Sequence, residues 1–497
     1  MASYTPTSKA GQPLRLVICG GGASSILLLA ALKERISRPI AVTIMEPRGQ
    51  LGAGAAYSTT CPAHLLNTRA CNMSVTDDAA DFVEWLRSEH RRRGFNWGAQ
   101  DFAPRQYFGE YLRTRLSSIR GASNIQQTWL RSVADSVLAR GNGWEVVPAQ
   151  GEPVPADIVV LATGNEAPRP LGQDLAPAAQ DLILNNPWAS DERKADIPLD
   201  AAVLIAGTGL TAVDAIAELL HRRHTGRIVA FSRRGLLPRS HGAVAPLPES
   251  LRRAFPASLR ALVKHVRELT SDDPRGERWR GVMTELRSMA PALWASWDLP
   301  EQKRFLRHVR PFWDVHRHRL APLLHARLTR AIARGQLKIV RGRLEALEHD
   351  VAGGSLRAIL RQHDGPRVLR GSVLINCTGP GTNALRAANP LLQSLVADGT
   401  ARPDALELGL ATDRRSRVLS RAGAVQRTLF ALGTLARGSQ WELTAIPEIR
   451  EQARLIAREI ELQAATRVVD KPEGSERVAA ENMEARMKLD TRAAVAL

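Results

Sequence analysis

Cysteine is scarce in this chain: there are four, Cys19, Cys61, Cys71 and Cys377, and no two stand in a CxxC spacing. That pattern excludes a disulfide framework and a dithiol redox pair, and no ligation pattern for an iron-sulfur cluster or haem accompanies it. Cys19 and Cys377 fall inside apolar runs that read as buried strands, where a thiol behaves as a small hydrophobe. Long hydrophobic runs are missing too, since no uninterrupted apolar stretch reaches the roughly eighteen residues of a membrane span. The stretch from Val17 to Leu32 comes nearest to a signal segment. Its glycines, and the lack of a basic segment before it or a cleavage site after it, read instead as strand, turn and helix. A soluble, cytoplasmic protein is expected. Solenoid repeats and low-complexity tracts are absent. His316 and His318 stand among cations without a carboxylate or cysteine cluster, so no metal is expected.

What is present is length and positive charge. At 497 residues the chain exceeds one simple core, and two domains or one interrupted domain follow from that. Its 44% apolar and 24% charged residues are those of a folded globular protein. The formal charge of +18 is carried mainly by arginine spread along the whole chain. A surface of that kind suits anionic small molecules or nucleic acid, and no recognition motif accompanies the charge to favour nucleic acid.

Two glycine-rich turns carry the chemistry. The first follows the apolar run Leu16-Val17-Ile18-Cys19 and reads Gly20-Gly21-Gly22-Ala23-Ser24-Ser25. Gly20 and Gly22 supply the first two positions of a GxGxxG pattern, and Ser25 takes the third as a departure small enough for helix and strand to pack. Phosphate oxygens need a close backbone and free N–H donors, which such a turn and the helix behind it provide. A second strand, Ala41 to Met45, ends at Glu46, whose carboxylate suits the ribose hydroxyls of FAD or NAD and would repel a 2′-phosphate.

The second turn follows Val203-Leu204-Ile205-Ala206 and carries Gly207, Gly209 and Ala212, an accepted variant of the third position. Its next strand ends in Ser232-Arg233-Arg234 where the first site has Glu46. A hydroxyl and two guanidinium groups suit a 2′-phosphate, so NADPH is expected here and FAD at the first site. Two short apolar strands, 157–162 and 372–377, each deliver a Thr-Gly turn, Thr163-Gly164 and Thr378-Gly379. They bracket the second site as points where the chain leaves and re-enters one sheet.

The expected architecture is α/β, with two Rossmann-like dinucleotide-binding domains and the NADPH domain inserted in a discontinuous FAD domain. The FAD domain occupies 14–195 and 370–465, the NADPH domain 196–369 with a helical basic insert at about 247–335, and a tail follows at 466–497. Within the insert, Arg310, His316 and Arg319 either line a solvated helix face or reach a substrate carboxylate or cofactor phosphate.

Several strings resemble the bacterial FAD/NAD(P)-binding flavoproteins that include an FAD-dependent urate hydroxylase and flavin-dependent aspartate N-hydroxylases. They are Gly52-Ala53-Gly54-Ala55-Ala56-Tyr57, His64-Leu65-Leu66-Asn67, the segment Phe102 to Leu112, Asn186-Pro187-Trp188, Arg310 to Arg319, Leu432-Gly433 and Trp441-Glu442. The resemblance implies a two-dinucleotide monooxygenase with catalytic roles at Asn67, Arg105 and Trp441. It further implies cofactor contacts at His64, Thr163, Gly164, Thr378, Gly379 and Gly433, and a wall against water that includes Tyr57 and Trp188. Where many such flavoproteins place an Asp to hold the ribityl chain, this chain has Thr434.

NADPH passes hydride to flavin, and with no dithiol or metal relay the remaining acceptor is dioxygen. The adduct that forms loses peroxide in water, so hydroxylation needs a dry site. The expected substrate is a small anionic nitrogen compound, a urate-like purine or an amino acid. A reductase serving a quinone or protein acceptor and a flavin-binding protein without turnover are the alternatives.

Overall fold

The computed structural model describes residues 13–469 apart from 92–93, 95, 122–123, 189–193 and 253–254. Strand Leu14–Cys19 is apolar on both faces from Leu16 onward and lies inside a six-stranded sheet, as a run of that kind requires. It pairs in parallel with Ile40–Met45 on one side and Ile158–Leu161 on the other. Ile125–Leu130 extends the first side; Val425–Ala431 and the antiparallel edge Arg417–Leu419 extend the second. Helix Ala23–Arg35 is buried all round from Ser25 to Leu32. The reason is a second cover: helix Ile446–Val469 lays Ile449, Ala453, Ile456, Ala457 and Ile460 into the same core, at the three-and-four spacing of one helical face.

The second sheet is wholly parallel, in the order Leu337–Arg341, Ile228–Ser232, Val203–Ala206, Val373–Asn376, Ile183–Leu184. Helices Leu210–His221 and Pro322–Ala333 cover one face. Each parallel sheet also carries a three-stranded antiparallel meander on its other face, which the sequence reading did not anticipate. Ala134–Arg140, Gly143–Pro148 and Val154–Ala156 cover the first; Arg343–Asp350, Ser355–Gln362 and Gly365–Gly371 cover the second.

Two strands lie across the expected boundaries at 195/196 and 369/370. Ile183–Leu184 and Val373–Asn376 both pair within the second sheet, so the second Thr-Gly strand does not return the chain to the first. The physical reason is local. A Cβ on Gly20 would stand 2.3 Å from the Ala162 carbonyl oxygen, and one on Gly207 would stand 2.1 Å from that of Cys377. Each glycine turn therefore takes its own Thr-Gly strand directly beneath it, and the chain regains the first sheet only with Arg417–Leu419 and Val425–Ala431.

The insert is helical, through Glu249–Arg252, Leu259–Leu269, Glu277–Ser296, Leu299–Arg304 and Arg310–Arg317. Its core of Trp294, Trp297 and Phe305 receives Trp441 and Leu408 from the last part of the chain. Of the expected tail, residues 466–469 continue helix Ile446–Val469 and the remainder lies outside the described residues. No described helix is long and apolar enough to cross a membrane.

Gly20 and Gly207 have φ of 111° and 121°, where L side chains are strained. Gly20→Ala or Gly207→Ala should therefore cost about 3 kcal/mol or more through strain and backbone overlap. Thermal or denaturant melts check this, with soluble expression as the coarser readout.

Candidate active site

The two glycine turns have the same internal logic. Their first glycines are consumed by the fold, as above. Their second glycines are not: Gly22 and Gly209 have ordinary φ of −80° and −82° and sit at the N-caps of helices Ala23–Arg35 and Leu210–His221. A Cβ on Gly209 would meet nothing within 4 Å, and on Gly22 only the Gly54 Cα at 3.6 Å. Neither helix has a side-chain cap or an acidic residue in its first turn, so no side chain of the turn itself meets the first N–H groups and the positive dipole end. The fold does not need glycine there, and a ligand whose phosphates approach the backbone does.

At the first turn, the Ser25 hydroxyl donates to the Gly20 carbonyl at 2.6 Å, which gives the departure at the third position a structural task. Glu46 is buried and accepts the Gly21 N–H at 2.9 Å through one oxygen, while Arg48 holds the other at 2.9 Å. At the second turn the Ser232 hydroxyl is 2.8 Å from that of Thr208 and accepts the Gly235 N–H at 3.0 Å. Arg233 is exposed, and Arg234 lies over the Phe312 ring at 5.2 Å.

Gly433, with φ of 78°, comes beside the first turn: a Cβ there would stand 3.3 Å from the Ser24 Oγ, and its N–H donates to Gln452 at 2.7 Å. The next residue, Thr434, has a buried hydroxyl without a hydrogen-bond partner, and so does Thr163 across the same turn. Two unpaired buried hydroxyls flanking one phosphate-type turn are what a dinucleotide would satisfy, and Thr434 occupies the position of the missing Asp. A narrow cleft lies between these loops, lined by Gly164, Glu166, Thr434 and Arg437. Thr378 has a different setting: its hydroxyl donates to the Asn376 side chain at 2.7 Å, in the second unit.

His64 and Arg105 do not face this cleft; they join the two units. The His64 Nε2 lies 3.2 Å from the Asp214 carbonyl and 3.4 Å from Glu218 Oε2, so it carries the proton, and its Nδ1 meets the Thr59 hydroxyl at 2.7 Å. The Arg105 guanidinium donates to the Leu65 carbonyl, covers Trp188 at 5.7 Å and pairs with Asp214 at 2.9 Å. Lys194 pairs with Glu218 at 2.9 Å. Asp214 and Glu218 are one turn apart on the nucleotide helix Leu210–His221 and were missed by the sequence reading. Their signal was present, since two carboxylates interrupt an otherwise apolar face among Val213, Ile216 and Ala217.

Burial pushes the Asp214 carboxyl up, against Arg105 and His64, which lower it. For Glu218 burial acts the same way, but hydrogen bonds from His64 and Lys194 outweigh it and hold the group at about 2.

Asn67 sits just beyond His64. Its carbonyl accepts from His241 Nε2 at 3.0 Å, leaving its side-chain amide uncommitted among the described residues. Trp441 is buried, stacks on Trp294 at 5.0 Å, lies under Arg437 at 4.4 Å, and has an indole N–H without a partner. Beside it Arg317 pairs with Glu442 and Glu448 at 2.7 and 3.0 Å, tying helix Arg310–Arg317 to the last segment. Among the described residues no group of three or more His, Cys, Asp or Glu is placed to hold a metal. The four cysteines are free thiols, and burial pushes Cys19 up to about 12.

Residues 17–166 match the family model described as FAD-NAD(P)-binding, which assigns that module to the first glycine turn. No curated protein sequence matches the chain. Among solved structures, ornithine N-hydroxylase of Kutzneria sp. 744, described with reduced FAD, NADP+ and L-ornithine, superposes with a TM-score of 0.62 at 17% identity, over 91% of this chain and 100% of that one. Reduced ornithine hydroxylase of Pseudomonas aeruginosa follows at 0.61 and 16%, over 90% and 100%. The FAD-bound cadaverine monooxygenase of Erwinia amylovora gives 0.62 and 12%, over 90% and 95%. The chain has the fold of the flavin-dependent N-hydroxylating monooxygenases, with an FAD-NAD(P)-binding module at its N-terminal side.

Gly22→Ala and Gly209→Ala should leave the melting temperature within a few degrees of wild type while weakening dinucleotide binding, the first for FAD and the second for the pyridine nucleotide. Flavin content and nucleotide titration decide this. Arg105→Ala leaves Asp214 buried and unpaired and should cost about 3–5 kcal/mol, with part recovered in Arg105→Met/Asp214→Asn. Because Glu218 is held below its ordinary value, its contribution to stability is complete above pH 4.5 and is lost as pH falls toward about 2. Asp214, raised, opposes it with the reverse sign. Melts across that range should lose acid sensitivity in Glu218→Gln and gain it in Asp214→Asn.

Proposed function

We propose that this chain is an FAD-dependent, NADPH-using monooxygenase that hydroxylates a small anionic nitrogen-containing substrate, an amino acid or a urate-like purine. The observation that carries the reading is the pair of glycine turns whose second glycines are left open by the fold, on two units clamped together by the buried Arg105–Asp214 and His64–Glu218 contacts. A flavin, when bound, takes hydride from the pyridine nucleotide and in reduced form activates dioxygen.

The chain's own residues then have distinct tasks. The turn Gly20 to Gly22 and its helix take the FAD pyrophosphate, Glu46 takes the adenosine ribose, and the unpaired hydroxyls of Thr163 and Thr434 donate to the flavin side. Gly207, Gly209 and the Ala212 helix take the second pyrophosphate, with Arg233 and Arg234 on the 2′-phosphate. Arg105 acts as a positioning residue: its guanidinium holds the Leu65 carbonyl and so sets the strand of backbone that presents Asn67. Asn67 and Trp441 complete a wall that keeps water from the reacting atoms.

Purified protein should be yellow, bleach with NADPH under anaerobic conditions, and with a productive substrate consume oxygen one for one with NADPH while releasing little peroxide. Urate, aspartate and related amino acids form the first panel. A protein that stays colourless after reconstitution with FAD sinks the reading, and fast anaerobic turnover with dye acceptors replaces it with a reductase. The double variant Arg233→Ala/Arg234→Ala should raise the KM for NADPH about ten- to a hundredfold and leave that for NADH unchanged.

A further inference from the structure

Some arginines of the insert are neutralised. Arg317 pairs with Glu442 and Glu448, Arg287 with Glu448, and Arg310 with Asp314. Three others near Asn67 are not. Arg319 is only 8% exposed, yet its guanidinium meets no carboxylate among the described residues and donates only to the carbonyls of His316 and Arg280. Arg280 likewise donates only to carbonyls, those of Ser240, Ala243, Arg275 and Gly276. Arg69, two residues beyond Asn67, makes no side-chain hydrogen bond or ion pair with a described residue.

These side chains are organised rather than scattered. Arg280 and Arg319 both lie against the Trp279 ring, at 4.8 and 5.1 Å from its centroid, and His316 meets the same ring edge-on at 4.9 Å. His241 packs on Phe102 at 4.7 Å and donates to the Asn67 carbonyl, and its own N–H donates to the Leu320 carbonyl at 2.9 Å, so it bridges the residue beside Arg319 to the loop that carries Arg69. Burial, then Arg319, Arg69 and Arg280, hold the His241 imidazole down at about 4, so the ring is neutral and supplies no counter-charge at pH 7. Burial, then Arg280, Arg317, Arg69 and Arg287, pull Arg319 down to about 10, still charged. A desolvated charge without an opposite partner is costly, and three together repel. A bound oxyanion removes both costs.

We propose that Arg69, Arg280 and Arg319 form an oxyanion-binding site, beside the Asn67 loop and against Trp279, that takes a carboxylate or phosphate group of a ligand. It deepens the function proposed above and rests on that reading for the choice between a substrate carboxylate and a phosphate of NADPH. Planar guanidinium groups fixed by backbone carbonyls and an aromatic face are pre-organised for bidentate contact with either.

Calorimetric titration of the purified holoprotein with succinate, inorganic phosphate and NADP+ tests it, on wild type, Arg69→Gln and Arg319→Gln. Arg69→Gln removes no described contact, so its melting temperature should hold. Binding of succinate weakened about tenfold or more with NADP+ unchanged assigns the site to a substrate carboxylate; the reverse assigns it to the cofactor phosphate. Affinity for all three probes unchanged in both variants, or absent in wild type, overturns the proposal. Flavin content is read on the same samples, so a yellow protein with unaltered anion binding fails this site alone, and a colourless one fails the functional reading.

Discussion

The structure depends on two places where backbone passes backbone too closely for a side chain. At Gly20 the Ala162 carbonyl occupies the space of a Cβ, and at Gly207 the Cys377 carbonyl does the same. Each crossing sets a Thr-Gly strand beneath a strand-turn-helix unit, aims the following helix N-terminus outward and leaves the second glycine open. The two crossings are near copies of each other in geometry and differ in what ends the next strand: Glu46 in one, Ser232-Arg233-Arg234 in the other.

Between the units the contact is ionic and buried. His64 and Arg105 reach from the first unit to Asp214 and Glu218 on the helix of the second, with Lys194 completing the balance. Ion pairs of this kind add little net stability, but removing one partner is expensive, so they specify how the units face each other. The insert is tied back in the same way through Arg317 and Glu442, and its aromatic core encloses Trp441. Arg105 and Arg317 are thereby neutralised, whereas in the cluster at Arg69, Arg280 and Arg319 the buried Arg319 meets only backbone carbonyls among the described residues.

Parts of the candidate site were readable from local pattern alone. Apolar runs of four to six residues ending in glycine, followed by a helical period, locate both turns. Other assignments failed for lack of distance information. His64 and Arg105 carry a family string, yet their partners lie far along the chain on a helix whose two carboxylates interrupt an apolar face without showing what they pair with. The run Val373–Asn376 fits either sheet equally by composition, and only the vacancy beside Val203–Ala206 decides. The meanders were invisible as sheet covers because alternation over short strands says which face is buried and not against what.

The sequence by itself determined that two nucleotide-type turns exist, which residues build them and that the protein is rich in unbalanced arginine, because turn geometry and helical period act over a few neighbouring residues. Tertiary structure alone decided which strand runs under which turn, which arginines are neutralised and which glycines remain open. Those outcomes depend on the solvent-excluded volume and the charge partners that only long-range packing brings together.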